Sequence, residues 1–448
     1  MFKKFKLLPI LAAVLLLAGC NDDDEIASLD NQLQTLLATA GGTQGQDYFK
    51  LPSSTDFSSI PQDPRNPITT AKVELGEALF HETALAIVPK IASGKDTYSC
   101  ASCHHAAAGF QAGVQQGIGE GGSGFGSNGS GRLPNSGYDL TDLDVQPIRT
   151  PTAMNGAFQH LMLWNGQFGG TGDNIGTEAN WTAGTPKETN HLGFEGLETQ
   201  AIAGMKVHRL DIDTNRLFPY GYKALFDAAF PDVAEADRYN RETAGLAMAA
   251  YERTIMSNQA PFQEWLNGDM TAMTDAEKEG AILFFGKANC VSCHTGPALN
   301  SMKFYAIGMN DLDGPGVYGV GDTEVADAGK GRGSFTGKEE DMFKFKVPQL
   351  YNLPNSPFYG HGGNFTSIKD VLDYKNAAVP QNSTVPTSQL ATEFTPLNLT
   401  DAEIASLTLF LEKSLVDANL SRYEPTALPS GYCFPNADQQ SKTDLGCN

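Results

Sequence analysis

Two short cysteine motifs of the same form constrain this chain more than any other feature. Residues 100–104 read CASCH and residues 290–294 read CVSCH, so the pattern Cys-x-x-Cys-His occurs once in each half of the chain. The pattern is the attachment signature of c-type haem, in which two thiols bond to the porphyrin and the adjacent imidazole binds the iron. A thioredoxin-like dithiol needs no such histidine, and a structural zinc site needs four ligands close together. The sequence therefore predicts a dihaem cytochrome attached through Cys100, Cys103, Cys290 and Cys293.

The first twenty residues have the pattern of a bacterial lipoprotein signal peptide. Three lysines precede an apolar run from Leu7 to Leu17, and the segment ends in LAGC at Cys20. The apolar run is too short to span a bilayer. We expect Cys20 to become the lipid-modified first residue of a mature protein anchored to the membrane in the periplasm. An ordinary secretory peptide is the alternative.

The remaining cysteines agree with export. Of the seven cysteines, Cys20 and the four haem cysteines leave Cys433 and Cys447, both in a polar C-terminal tail. Disulfides persist outside the cytoplasm. We expect these two cysteines to close a disulfide that contributes about 3 kcal/mol to stability.

The charge balance limits the choice of partners. The formal net charge is −21, and removal of the signal peptide with its three lysines makes it more negative. Such a chain does not suit nucleic acid or an anionic lipid surface. It suits a basic electron-donor protein, although plain solubility explains the same charge.

The pattern along the chain predicts a mainly α protein with two c-type cytochrome domains, each around one covalently bound haem, and long irregular loops. A helix is expected from near Thr70, and the pairs Thr274 with Glu277 and Thr400 with Glu403 form capping boxes ahead of apolar helices. Strand-like alternation is scarce. The predicted segments are a signal peptide at 1–20, a flexible tether at 21–65, an N-terminal haem domain at 66–245, a C-terminal haem domain at 246–415 and a disulfide-stapled tail at 416–448.

The two motif histidines, His104 and His294, are the predicted proximal iron ligands. The sixth coordination position decides function, because an electron-transfer haem fills it and a peroxide-cleaving haem leaves it open. Six other histidines occur in the chain. For any one of them a structural role is the ordinary expectation.

Several further segments, in the same order, resemble the bacterial dihaem cytochrome c peroxidases and their MauG-type relatives. They cover roughly residues 65–415, and each is weak alone, whereas their shared order is specific. The segments are 149–152 (RTPT), 163–166 (LWNG), 197–201 (LETQA), 250–254 (AYERT), 346–352 (KVPQLYN) and 361–363 (HGG).

The resemblance implies a role for each haem. The N-terminal haem, on His104, would be the peroxidatic site, and the C-terminal haem, on His294, would receive electrons from a small external donor. Trp164 would relay electrons between the two porphyrins. Gln200 matches a polar residue that hydrogen-bonds peroxide on the distal side of the first haem.

The chain departs from the family pattern at two places around the first haem. The position of the family's distal glutamate falls at Leu210, and we predict that the nearby His208 replaces it as the proton-transfer base, because imidazole titrates near neutrality. Classical members cap the first haem with a histidine from the glycine-rich loop, but no histidine occurs between His105 and His160. The resemblance therefore predicts an open first haem that needs no reductive activation, as in MauG-type enzymes.

Two metal ligands implied by the family are less well matched. The sixth ligand of the second haem lies on the helix after residues 361–363, where the chain offers Tyr374 and Lys375 and no methionine, and we expect Tyr374. The family also binds a calcium ion through an asparagine near Thr150 and carbonyls near Asn355 and Pro357. Because threonine replaces that asparagine, one calcium ion is only a possible cofactor.

Three functions are compatible with these features. The first is a cytochrome c peroxidase that reduces hydrogen peroxide to water with electrons from a periplasmic cytochrome c or cupredoxin, entering at the C-terminal haem and passing through Trp164. The second is a MauG-type enzyme that uses peroxide to oxidise aromatic residues of a partner protein. The third is a non-enzymatic dihaem electron carrier. A homodimer is possible, since members of the family often form one.

Overall fold

The computed structural model describes residues 28–447, so the predicted signal peptide and Cys20 lie outside the described residues. The described chain is mainly helical, with thirteen α-helices and many single 3₁₀ turns. The helices are α1 Leu29–Ala40, α2 Thr70–His81, α3 Gly196–Val207, α4 Thr214–Leu217, α5 Tyr222–Ala229, α6 Arg241–Thr254, α7 Pro261–Leu266, α8 Asp275–Phe285, α9 Asp322–Gly329, α10 Arg332–Thr336, α11 Ile368–Ala377, α12 Asp401–Leu409 and α13 Gln439–Leu445. A short π-helical turn, Phe410–Ser414, continues α12.

Strands are few and short in the described chain. Two antiparallel pairs of two residues each occur: β1 Gly122–Ser123 with β2 Leu133–Pro134, and β3 Phe304–Tyr305 with β4 Phe345–Lys346. The predicted mainly α class is confirmed. No helix within residues 28–447 has both the length and the apolar character that crossing a membrane requires.

Helix α6 lies at the centre of the N-terminal half, against α2 and α3. Gly76 of α2 faces α6 so closely that a Cβ at this position would lie 2.0 Å from the carbonyl oxygen of Ala247. Because α6 begins at Arg241 and packs on α2, the domain boundary predicted at 245/246 falls inside a helix of the N-terminal half.

Helices α8 and α12 form the core of the C-terminal half in the same way. A Cβ at Gly280 of α8 would lie 2.1 Å from the carbonyl oxygen of Ser406 in α12. Both helices begin with the capping boxes predicted from the sequence, Thr274 with Glu277 and Thr400 with Glu403. The predicted start near Thr70 is also confirmed.

The segment predicted as a flexible tether is partly folded onto the C-terminal half. Leu33 and Leu37 of α1 are fully buried in the main core. Asp30 accepts a hydrogen bond from Trp265 Nε1 at 2.7 Å and pairs with Lys278 Nζ at 2.8 Å. The expectation of a tether over 21–65 therefore does not hold for its described part, because an apolar stripe on α1 docks on α8.

The C-terminal tail is closed by the predicted disulfide between Cys433 and Cys447. Helix α13 lies inside this loop and packs beside β1. Asp438 accepts a hydrogen bond from the amide of Gly124 at 3.0 Å, and Asp444 accepts one from the amide of Phe125 at 2.7 Å. The tail thus holds the glycine-rich segment at residues 122–132, which follows the first cysteine motif.

Candidate active site

The first cysteine motif forms a single 3₁₀ turn, Cys100–Ser102, in the N-terminal half. Cys100 and Cys103 are not paired in a disulfide. Burial raises the pKa of each of these thiols to about 12. Two reduced, half-buried thiols beside one imidazole match the donor set that a c-type haem requires.

The imidazole of His104 is held so that one nitrogen remains for a metal. Its Nδ1 lies 3.1 Å from the carbonyl oxygen of Phe110. Because a carbonyl only accepts, Nδ1 carries the proton, and Nε2 keeps its lone pair. Phe110 has a φ of +53°, a left-handed conformation, at the residue whose carbonyl accepts this bond. Burial lowers the pKa of His104 to about 4, which keeps the ring neutral.

The second motif repeats this arrangement. Cys290–Ser292 forms the same turn, and both cysteines are free. His294 Nδ1 lies 3.1 Å from the carbonyl oxygens of Leu299 and of Pro348, and Leu299 has a φ of +47°. Burial lowers the pKa of His294 to about 4. The repeat of the same local structure means that both motifs present two thiols and one Nε2 lone pair, so both fit a haem.

An acid–base pair adjoins the first motif. His208 follows α3, and its Nδ1 donates to Asp144, with Oδ2 at 2.9 Å and Oδ1 at 3.2 Å. Burial acts to lower the pKa of His208, but the charge and hydrogen bond of Asp144 outweigh it and the pKa is raised. Asp144 itself is buried. The pair leaves Nε2 of His208 free to exchange a proton.

Gln200 lies on α3, the helix that ends directly before His208. It is half-buried, and a Cβ at Gly204 would lie 3.5 Å from its Nε2, so the amide runs along α3 toward His208. Residues 200, 204 and 208 are spaced by one helical turn each and follow one stripe. Leu210, at the position of the family's glutamate, is buried.

Trp164 lies where the two halves of the chain meet. Its Nε1 donates to the carbonyl oxygen of Arg149 at 2.8 Å, and its own carbonyl accepts from the amide of Lys346 at 2.8 Å. The indole is half-buried. Arg149 precedes Thr150 in the N-terminal half and Lys346 belongs to β4. Trp164 is therefore bonded to the N-terminal half through its indole and to the C-terminal half through its backbone carbonyl.

The two candidates for the sixth ligand of the second haem have different surroundings. The hydroxyl of Tyr374 donates to the carbonyl oxygen of Ile307, and burial raises its pKa to about 12. Lys375 lies within electrostatic range of Cys290 and Cys293. Burial lowers the pKa of Lys375, and the two thiols oppose that shift.

The predicted calcium position offers a poor donor set. Arg149 is fully buried there, and its guanidinium donates to Ser356 Oγ, between the residues whose carbonyls were expected to bind calcium. Burial lowers the pKa of Arg149 to about 9. Within residues 28–447 no group of three or more histidine, cysteine or acidic side chains is placed to hold a metal ion. A guanidinium cation at this position disfavours a second, divalent cation.

Two residues near the first motif were not found from the sequence. Asp144 is 64 residues from His208 in sequence, so no local spacing links them. In the sequence, Arg149 is only one residue of the segment that resembles the family. Its burial without a carboxylate partner depends on residues 112–115, whose carbonyls accept its hydrogen bonds. Only the tertiary structure could have shown either role.

Comparison with known proteins agrees with this arrangement. The family model described as di-haem cytochrome c peroxidase matches residues 70–271. The cytochrome-c peroxidase IdrP1 of Denitromonas iodatirespirans is 28% identical over 401 residues, covering 86% of this chain and 91% of that protein. The methylamine utilization protein MauG of Methylorubrum extorquens is 27% identical over 360 residues, covering 79% and 81%.

The fold has a counterpart among solved structures. A MauG-like protein associated with microbial copper homeostasis superposes with a TM-score of 0.54 at 22% identity, covering 83% of this chain and 95% of that one. The relatives named cytochrome-c peroxidase support an oxidoreductase of the peroxidase class. The chain is similar over most of its length to dihaem cytochrome c peroxidases and MauG proteins.

Proposed function

We propose that this protein is a dihaem cytochrome c peroxidase that reduces hydrogen peroxide with electrons from a small donor protein. The observation that carries the proposal is an asymmetry between two otherwise equal motifs. Both present two thiols and a neutral imidazole, and the first also lies within electrostatic range of the His208–Asp144 pair. A haem bound at the first motif supplies an iron that can bind peroxide and accept electrons.

The side chains of the N-terminal half supply the proton transfer. Gln200 orients peroxide by a hydrogen bond, and His208 Nε2 takes a proton from one peroxide oxygen and returns it to the other. Asp144 keeps the proton of His208 on Nδ1 and favours the charged imidazolium. Each peroxide consumes two electrons and two protons and yields two waters.

Electrons enter at the C-terminal haem on His294 and reach the first haem through Trp164. The hydrogen bonds of Trp164 support this route, because the indole is bonded to Arg149 and the backbone carbonyl of the same residue is bonded to Lys346 in the C-terminal half. The net charge of −21 supports a basic cytochrome c or cupredoxin as donor.

Purified holoprotein tests the proposal directly. Its mass and its pyridine haemochrome should show two covalent haems, and it should turn over peroxide with a reduced cytochrome c. His104→Ala should abolish peroxide turnover and leave the second haem reducible. A protein without two haems, or one whose His104→Ala variant turns over normally, would contradict the proposal.

A MauG-type activity is the second candidate, and one observation favours it. The glycine-rich segment has no histidine to cap the first haem, and His105 Nε2 is bound to the carbonyl oxygen of Asn128 at 3.0 Å. A peroxide-treated protein that keeps a long-lived near-infrared band and shows negligible turnover with reduced donor would identify this activity. Fast turnover would reject it. A non-enzymatic carrier would instead show two low-spin haems that bind neither cyanide nor carbon monoxide.

We also propose that the protein works outside the cytoplasm, anchored by a lipid on Cys20. The lysine-rich and apolar start of the chain supports this location, and the disulfide Cys433–Cys447 is typical of an oxidising compartment. Cell fractionation should find the protein with membranes, and Cys20→Ser should release it in soluble form. A wild-type protein recovered from the cytoplasm would exclude the anchor. The homodimer stays a prediction.

A further inference from the structure

We propose that the Nζ atom of Lys375 is the sixth ligand of the C-terminal haem, on the face opposite His294. The inference rests on the proposed function, because it requires a haem at the second motif. It replaces Tyr374, which the sequence favoured for this role.

Lys375 lies close to the second cysteine motif. Its charge acts on Cys290 and Cys293, and it also acts on the imidazole of His294. All three of these groups would bond to the same haem. Lys375 therefore lies near all three groups.

The second argument is that the amine has no other strong partner. Lys375 Nζ makes no hydrogen bond or ion pair with any residue from 28 to 447, and its one ring neighbour is Phe394, with Nζ 5.8 Å from the ring centroid. A half-buried ammonium group without a carboxylate is unfavourable.

The third argument is that the neighbouring tyrosine is already engaged. The Tyr374 hydroxyl donates to the carbonyl oxygen of Ile307. Its ring packs against Phe365 and Phe394, with centroids 5.2 and 5.3 Å away. Because successive residues of a helix point about 100° apart, α11 can direct only one of residues 374 and 375 at the haem.

A lysine ligand has a defined consequence for the second haem. Two nitrogen donors make the iron six-coordinate and close it to small ligands, which suits an electron-accepting haem. A thioether ligand would raise the reduction potential of the haem, whereas an amine keeps it lower. The second haem would therefore relay electrons and leave peroxide chemistry to the first.

The test compares Lys375→Ala with the matched control Tyr374→Phe in the holoprotein. After reduction, the wild-type protein should bind one carbon monoxide per molecule, at the first haem. Lys375→Ala should bind two and show a second high-spin haem, which added imidazole returns to low spin. Tyr374→Phe should behave as the wild type. A Lys375→Ala protein with one carbon monoxide per molecule, or a Tyr374→Phe protein with two, would overturn the inference.

Two further measurements keep the result unambiguous. Lys375→Arg keeps the charge and length of the side chain but has no lone pair to offer, so it should also bind two carbon monoxide molecules, and binding of one would contradict the inference. Haem content is measured on every variant. Absence of two covalent haems in the wild type would refute the proposed function, whereas two haems with an unchanged ligand set in Lys375→Ala would refute only the lysine ligand.

Discussion

At the scale of single residues, the His208–Asp144 pair is the feature that most distinguishes the two haem motifs. The neutral ring is the form that accepts a proton, so the activity should fall as the pH drops through the pKa of His208. Asp144 raises that pKa. The acid side of the pH profile should therefore lie at a higher pH than that of an unperturbed imidazole.

The variant Asp144→Asn tests the pairing. An amide oxygen can still accept the Nδ1 proton, but it carries no charge, and burial then lowers the pKa of His208. The acid limb of the rate of reaction with peroxide should shift to lower pH in this variant. His208→Gln should slow the same rate by roughly 10²–10⁴-fold, the usual contribution of a proton-transfer group. An unchanged pH profile in Asp144→Asn would show that His208 is not the base.

The relay through Trp164 is tested by a conservative replacement. Trp164→Phe removes the indole and its hydrogen bond to Arg149, so electron transfer from the second haem to the first should slow while both haems stay bound. Trp181→Phe is the control, because the indole of Trp181 donates only within its own loop, to Thr177 Oγ1 at 3.1 Å. Rapid-mixing measurements of inter-haem transfer distinguish the two. Equal rates in wild type and Trp164→Phe would exclude this route.

At the scale of elements, the sequence predicts the signals that lie within one helix. It does not predict which distant helices pack together. The capping boxes that open α8 and α12 depend on residues three apart, so the sequence displays them. Helix α1 is buried against α8, more than 200 residues away in the sequence. A tether was expected there because composition cannot reveal a distant docking partner.

The docking of α1 gives a stability prediction. Leu37 is fully buried in the main core, and Leu37→Ala should lower the free energy of unfolding by about 2–5 kcal/mol. The control is Thr39→Ala, two residues on and exposed, which should change stability by about 0.5 kcal/mol or less. Urea unfolding measures both. Equal stabilities would mean that α1 contributes nothing to the folded core.

The tail makes a second prediction at this scale. Cys433 and Cys447 are 14 residues apart in the sequence. Reduction of their disulfide should lower the free energy of unfolding by about 3 kcal/mol. Because Asp444 accepts from the amides of Phe125 and Gly126, these two amides should lose protection from hydrogen exchange when the tail is reduced. Unchanged protection would show that the glycine-rich segment holds its shape alone.

At the scale of the whole molecule, the negative charge should govern encounters with the proposed donor. With a net charge of −21, association with a basic cytochrome should be steered by long-range attraction. The value of kcat/KM for the donor should fall steeply as ionic strength rises, and kcat should change less. If kcat/KM for the donor did not change with ionic strength, the donor would dock on an uncharged surface.

Across the whole molecule, features set by short sequence patterns could be predicted, and features set by contacts between distant segments could not. The mainly helical class follows from short patterns and the disulfide follows from counting cysteines, and the structure confirms both. The proximal histidines stay a prediction from the two Cys-x-x-Cys-His motifs. The environment of His208, the engagement of Tyr374 and the division of α6 between the predicted domains depend on contacts between distant segments. Register along α11 decides between Tyr374 and Lys375, and one residue of difference reverses which side chain faces the motif.

The proposed function depends most on an N-terminal haem that is open to peroxide before any reduction. The most direct test is stopped-flow mixing of the fully oxidised protein, as isolated, with hydrogen peroxide while the haem absorption is followed. We predict that about one of the two haems reacts at once, at a rate that depends on peroxide concentration, and that His208→Gln slows this step. A spectrum that stays unchanged until the second haem has been reduced would contradict the account.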